Sequence, residues 1–315
     1  MTIRVAVTGI SGDVGLGAIR GLRAETGYSE DIWILGLDVD GDCRVRHMVE
    51  GFATLPHVSD PHYIDALAAQ LRAHAIDILL PGIDSEIMVL SRARERFAGG
   101  PVRIAIATPD LVEAADDKLA TTRYLRARKI GAPETCDASN PADLGFPIIA
   151  KPRRGNGSKG VLLLRDAESL DSFLTEARPG YCLQEYIDGP EITVGFLYDW
   201  NGIFCDAIAM ERTLAEGRTV RATVTRVSEI LRFIEDFGDR VRSAGAVNAQ
   251  LRISPARGVQ VFEINARLSG STAMRVAVGF NDPLRIVHHL ARGEPMKPAT
   301  VRQATVYRVP TGLVE

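Results

Sequence analysis

Glu263, Asn265 and Arg267 stand at alternate positions of an apolar run, Val259–Gln260–Val261–Phe262–Glu263–Ile264–Asn265–Ala266–Arg267. In an extended strand that spacing places all three side chains on one face, with Phe262 and Ile264 turned into the core. A preceding run, Val247–Asn248–Ala249–Gln250–Leu251–Arg252, is joined to it through a turn at Ser254–Gly258. A hairpin pairing then sets Gln250 across from the polar row. Carboxylate and amide oxygens are hard ligands suited to Mg²⁺, which keeps several waters and bridges substrate phosphates. Arg267 beside them can neutralise charge on a transferring phosphoryl group. The competing reading is a solvated strand face, which seldom carries two amides and an arginine at the end of so apolar a strand.

A second group surrounds Lys151. The strand Pro147–Ile148–Ile149–Ala150–Lys151–Pro152 leads into Arg153–Arg154–Gly155–Asn156–Gly157–Ser158–Lys159–Gly160, and the apolar run Val161–Leu164 returns at once. This reads as a β-hairpin whose mobile tip presents backbone N–H groups and positive side chains to phosphate. The chain has five lysines among 37 basic residues, so a lysine kept before such a loop suggests a compact three-donor charge. Lys118 opens a helix directly after Asp116 and Asp117, where a cation opposes the helix dipole. An incoming phosphate would account for it, as would a solvent-facing position. An ordinary surface hairpin remains the plain alternative for the loop. A Walker loop is set aside, because Gly157–Ser158–Lys159–Gly160 lacks its pattern and no helix follows.

Between these groups, Tyr181–Cys182–Leu183–Gln184–Glu185–Tyr186–Ile187 reads as a strand whose end can offer backbone groups to a purine edge. Glu191 heads the alternating strand Glu191–Tyr198 and can accept from ribose hydroxyls. Alone, Glu185 and Glu191 read equally as solvated carboxylates. Ser269–Gly270–Ser271–Thr272 opens a helix able to turn N–H groups toward an anion.

The elements that must position these residues fall in two parts. Over the first 110 residues, strands at Ile3–Thr8, Ile32–Leu37, Ile76–Leu80 and Val102–Ile106 alternate with helices ending near Arg23 and over Pro61–Ala73 and Asp84–Arg96. That order predicts a small parallel sheet covered on both faces. Gly9, Gly12 and Gly15, with Asp38, depart by one position from a dinucleotide fingerprint, so a tight strand–helix turn is the favoured reading. Asp84 follows a strand at the end where open α/β sheets place ligands. It, or Ser85, reads equally as a helix N-cap. A helix over 167–177 follows the glycine-rich hairpin.

With 315 residues, 46% of them hydrophobic and 24% charged, the chain has room for more than one core. A net charge of -3 with scattered arginines makes no case for nucleic acid. Four separated cysteines suggest neither zinc nor a disulfide framework. No apolar run reaches the roughly 18 residues of a membrane span. A strand beginning at Ile3 leaves no room for a signal peptide. A cytoplasmic protein is expected.

Taken together, Asp117–Lys118, Ala150–Lys151–Pro152 with the Gly155–Gly160 loop, Gln184–Ile187, Gly189–Pro190–Glu191, Val247–Gln250 and Phe262–Ser271 resemble the ATP-grasp superfamily, specifically its carbamoyl phosphate synthetase large-subunit branch, with room for a single ATP-grasp unit. The resemblance implies a fold of α/β and α+β type, with a Rossmann-like pre-ATP-grasp domain over 1–110. The ATP-grasp domain would cover 111–297, its small subdomain about 119–188 and its larger one about 189–297, with 298–315 as a C-terminal extension. It implies ATP and Mg²⁺, with Mn²⁺ an acceptable substitute. Lys118, Lys151 and the loop residues Gly155, Gly157, Ser158, Lys159 and Gly160 would hold phosphates. Glu185, Tyr186 and Ile187 would frame adenine, and Glu191 the ribose. Gln250, Glu263 and Asn265 would hold metal. Arg267 would touch the γ-phosphoryl group or an acyl phosphate. The variable stretch Met210–Arg221 would line the acceptor side, with Arg212, taken to end its strand, the first choice ahead of Arg218 and Arg221. The activity implied is ADP-forming joining of a small carboxylate to an amine, with a homodimer permitted and no nucleic-acid or membrane partner. A phosphotransferase, a carbamoyl-phosphate-type synthetase and a non-catalytic ATP-binding module are the alternatives.

Overall fold

The computed structural model describes residues 2–24, 32–155, 157–176 and 178–309. Asn156 in the glycine-rich loop, Ala177 at the end of the expected helix, and residues 310–315 lie outside the described residues.

The N-terminal part runs β1 (Ile3–Thr8), α1 (Asp13–Arg23), β2 (Ile32–Asp38), β3 (Gly51–Thr54), α2 (Tyr63–Ala73), β4 (Ile78–Leu80), α3 (Asp84–Arg92) and β5 (Arg103–Ile104). Its strands form a parallel sheet in the order β3-β2-β1-β4-β5. Alternation divides β1 between two cores: Val5 and Val7 pack on one side and Ala6 on the other. The glycine turn after β1 is as tight as its spacing predicts. A Cβ on Gly15 would lie 2.4 Å from the Gly9 carbonyl oxygen, so only glycine lets the helix start so close to the strand. Asp38 closes this turn by accepting from the Ser11 amide and hydroxyl at 2.9 and 2.8 Å.

The second half begins with α4 (Pro109–Asp116) and α5 (Lys118–Ala127), which pack against a strand far along the chain. A four-stranded antiparallel sheet follows: β6 (Thr135–Asp137), β7 (Ile148–Pro152), β8 (Leu162–Leu164), then α6 (Ala167–Thr175) and β9 (Tyr181–Glu185), in the order β6-β9-β7-β8. Next come β10 (Glu191–Tyr198), β11 (Phe204–Ala215), β12 (Arg218–Val224), α7 (Ser228–Arg240), β13 (Gly245–Ser254), β14 (Gly258–Asn265), α8 (Thr272–Ala277), α9 (Asp282–Arg292) and β15 (Thr305–Tyr307). These strands form a six-stranded antiparallel sheet, β14-β13-β10-β11-β12-β15. The strand packed by α4 and α5 is β14. The segment beyond residue 297 therefore contributes an edge strand to the larger sheet, through pairing of Arg221 with Tyr307.

Apolar packing partitions the molecule unequally. Two continuous cores run through both the N-terminal domain and the six-stranded sheet. The four-stranded sheet keeps its own small core around Ile148, Ala150, Phe173 and Leu183.

Several local expectations need correction. The strand β3 lacks the alternating apolar pattern that would announce it, and β5 is confined to Arg103–Ile104. Asp84 is not an N-cap: Ile83 holds that position, and no side chain caps the helix. Arg212 does not end a strand but lies inside the long β11. Phe262 is not in the core. The register of β13 with β14 shifts between Gln250 and Leu251, so Glu263 pairs with Gln250 while Val261 pairs with Leu251. Phe262 is the extra residue of this bulge and lines a cleft instead.

Candidate active site

That cleft, of about 310 Å³, lies between the four-stranded and six-stranded sheets. Lys151 at the end of β7 is 5% exposed. Its Nζ donates to Gln184 Oε1 at 2.8 Å and to the Phe262 carbonyl at 3.4 Å. Burial pushes the ammonium down to about 8, with the Glu263 charge opposing the shift. Lys118, the first residue of α5, donates from Nζ to the Gly155 carbonyl at 2.9 Å. The helix is capped by Asp117, which accepts from the Leu119 amide at 2.9 Å.

The glycine-rich loop is fastened at its base. Arg153 donates to Asp117 and, at 2.8 Å, to Asp137. Burial alone would raise the Asp117 carboxyl, but Arg153 and the Leu119 amide hold it below the ordinary range. Arg154 donates to Asp116 at 2.7 Å, so this charge of the loop has a partner within the protein. At the tip, Gly157 and Ser158 take positive φ of 65° and 57°. The turn between β11 and β12 packs directly on this tip: a Cβ on Gly217 would lie 2.2 Å from the Gly157 carbonyl oxygen.

Pro133, Ile149, Val161, Tyr186, Ile187 and Leu214 supply the apolar walls of the cleft. Glu185 accepts from the Glu134 amide at 3.1 Å and pairs with Arg257. Glu191 lies between two arginines, accepting from Arg212 Nε at 3.0 Å and from Arg252 Nη2 at 3.3 Å. Arg252 also donates to the Ile187 carbonyl at 3.0 Å.

The polar strand row has the expected register, with Gln250 opposite Glu263 and Asn248 opposite Asn265. Asn265 Nδ2 lies 3.1 Å and Gln250 Nε2 3.5 Å from Glu263 Oε1. Among the described residues no three His, Cys, Asp or Glu side chains gather as a metal cage. One carboxylate flanked by two amides fits a magnesium ion that arrives with phosphate oxygens and water as its other ligands. Arg267 is not on the strand as expected: β14 ends at Asn265, and Arg267 lies in the bend beyond it, lining a neighbouring cleft of about 360 Å³, where it pairs with Asp84. The two clefts share Lys118, Gly155 and Glu263.

Most of the residues singled out from sequence thus converge, but Arg212 and its companions do not form an acceptor wall. Arg212 lies in the first cleft and holds Glu191, because β11 carries it alongside β10 in register with that residue. Arg218 donates to Asp13 at 2.9 Å, and Arg221 is exposed on β12. Arg252 was legible yet missed: it stands two residues beyond Gln250 on the same strand face.

Two antiparallel sheets on either side of a cleft lined by two lysines, a glycine-rich hairpin and a carboxylate–amide row form an architecture of the ATP-grasp type. Residues 115–271 match the ATP-grasp domain model, and residues 28–105 match the PylC-like N-terminal domain. The chain thus carries an ATP-grasp domain preceded by a PylC-like N-terminal domain. It is 29% identical over 175 residues to D-alanine–D-alanine ligase of Gloeobacter violaceus, covering 50% of this chain and 56% of that one. It is 26% identical over 193 residues to the arginine-specific carbamoyl phosphate synthase large chain of Arabidopsis thaliana, covering 54% and 16%. The chain thus spans little more than half of the first of these relatives and a small part of the second. Among solved structures, N5-carboxyaminoimidazole synthetase from Staphylococcus aureus complexed with ADP superposes with a TM-score of 0.75 at 16% identity, covering 95% of this chain and 80% of that one. L-amino acid ligase from Bacillus licheniformis gives 0.69 at 15%, covering 94% and 75%. No helix among the described residues is long and apolar enough to cross a membrane.

Proposed function

We propose that this chain is an ATP-dependent, ADP-forming ligase that activates a small carboxylic acid as an acyl phosphate for attack by an amine. The observation that carries this reading is the meeting of two clefts at Lys118, Gly155 and Glu263. One has the walls and charges for a nucleotide, and the other has an arginine beside the polar row. The ligases named among its relatives support the same class.

In this reading the base stacks between Ile149 and the apolar wall at Ile187, and Glu191 accepts from the ribose hydroxyls. Lys118, Lys151 and the amides of Gly157–Gly160 hold the phosphates, with Ser158 and Lys159 closing over them. Gln250, Glu263 and Asn265 would hold magnesium, which when bound spreads phosphate charge and aligns the terminal phosphoryl group. Arg267 faces the transferring group and neutralises charge that grows on its oxygens. A carboxylate oxygen of the substrate attacks the γ-phosphorus and ADP leaves. An amine nitrogen then attacks the acyl carbon, phosphate leaves with the bridging oxygen, and the nitrogen loses a proton. Catalysis is mainly positioning and electrostatic stabilisation, so no side-chain nucleophile is required.

The test is a phosphate-release assay with Mg·ATP and a panel in which the L- and D-amino acids serve as both carboxylates and amines, followed by mass identification of products. The reading predicts a pair that drives stoichiometric ADP and phosphate formation with a condensed product. Formation of AMP and pyrophosphate, or retention of the γ-phosphate in a stable product, would rule it out. Stimulation by bicarbonate or carbamate alone would redirect the assignment to carbamoyl-phosphate chemistry.

A further inference from the structure

We propose that Asp84, contributed by the N-terminal domain, is a positioning residue for phosphoryl transfer that acts through Arg267. The proposal rests on the ligase reading above. It adds to that reading a role for the domain outside the ATP-grasp unit.

Asp84 is the first residue of α3, directly beyond the carboxyl end of β4, and it performs no capping there. Its negative side chain suits the positive end of the helix. The carboxylate instead crosses to a residue 183 positions along the chain. Arg267 Nε donates to Oδ1 and Nη2 to Oδ2, both at 2.5 Å, a two-point pairing that fixes the guanidinium plane. Nη1 donates to the Leu268 carbonyl at 2.6 Å, which fixes the remaining rotation. The arginine side chain is 9% exposed and that of Asp84 33%, so this is a partly desolvated pair rather than a loose surface contact.

A guanidinium has five N–H donors. Three are used by Asp84 and Leu268, and two remain for an anion in the cleft that Asp84 and Arg267 both line beside Asn265. The other residues assigned to the nucleotide come from the ATP-grasp unit, whereas the acid that pairs with Arg267 comes from the N-terminal domain. Without the acid, the guanidinium keeps its charge and a single carbonyl anchor. It is then free to swing away from the phosphoryl group. Outer-shell groups of this kind typically matter by about 10–100-fold in activity when removed.

The test uses the full chain with the amino-acid pair that gives the fastest phosphate release in the panel. Asp84→Asn is expected to lower kcat by at least about tenfold, while KM for Mg·ATP and the affinity for Mg·ADP in calorimetry stay within about twofold. Asp84→Glu should recover part of kcat, since it restores the charge at a displaced position. In an Arg267→Lys background, where the fork is already lost, Asp84→Asn should have little further effect on kcat. A thermal midpoint near that of the unaltered chain shows that these variants are folded. The proposal is overturned if Asp84→Asn retains kcat within twofold, or if its loss lies in KM or in thermal stability alone. If no pair drives phosphate release by the unaltered chain, the ligase reading fails and this proposal falls with it.

Discussion

Glu263 is the one carboxylate in the strand row, and its neighbours Gln250 and Asn265 both turn their amide groups toward it. Replacing it with glutamine keeps the shape but removes the negative charge that the proposed metal site would need. Glu263→Gln should fold normally and lose at least about a hundredfold in turnover, a cost typical of deleting one preorganised electrostatic group. Near-normal turnover of the folded variant at limiting Mg²⁺ would remove Glu263 from the site. Lys151 gives a pH-dependent prediction. Its ordinary value is 10.5, and burial lowers it to about 8. Below about 8 it is charged and ready for phosphate; above that the free protein holds it neutral, and nucleotide binding must first return the proton. Affinity for Mg·ATP should therefore weaken as pH rises through 8. Binding at pH 8 should take up protons, visible as a dependence of calorimetric enthalpy on buffer ionisation. Lys151→Arg, permanently charged, should abolish that uptake. The row itself was legible in sequence because alternation is a local property. Phe262 was misassigned because a bulge shifts the register by one residue, and nothing in its neighbours' chemistry announces that shift. Asp84 could be flagged but not assigned, since its partner is chosen by packing between domains.

The mechanical element of the cleft is the β7–β8 hairpin. Its base is held by Arg153 and Arg154 against three aspartates, and its tip rests on the β11–β12 turn through the contact between Gly157 and Gly217. Gly217 has a φ of 74° and no room for a Cβ. Gly217→Ala should push the two loops apart and raise KM for Mg·ATP about fivefold to tenfold, the equivalent of about 1 kcal/mol of backbone strain, with a smaller effect on thermal midpoint. Hydrogen exchange over Gly157–Gly160 should slow when Mg·ATP or a non-hydrolysable analogue is added. Equal exchange with bound nucleotide, or an unchanged KM in the alanine variant, would show that this contact is not a closing latch. The hairpin and its return strand follow directly from the sequence, where glycine-rich residues separate two apolar runs. The receiving turn does not, because glycine at position 217 has an ordinary local explanation and its partner lies 60 residues earlier.

At the scale of the whole molecule, the N-terminal domain and the six-stranded sheet share two cores, whereas the four-stranded sheet has its own. The larger body thus carries the carboxylate–amide row, Arg267 and Asp84, and the smaller sheet carries Lys151 and the loop that meet them across the cleft. Domain order and sheet type were readable from alternating strands and helices and from the motif series. The contribution of β15 to the large sheet was not, because a three-residue edge strand has too little pattern to register. This division would give the proposed phosphoryl transfer a base and a separately packed cover, in keeping with chemistry carried out by positioning. The measurement that tests the central claim most directly follows oxygen from substrate to phosphate. With a carboxylate substrate labelled in both oxygens with ¹⁸O, attack on the γ-phosphorus and later cleavage of the acyl carbon–oxygen bond must move one labelled oxygen into each phosphate released. The account predicts inorganic phosphate bearing one ¹⁸O atom for each product molecule formed. Product accompanied by unlabelled phosphate would contradict it.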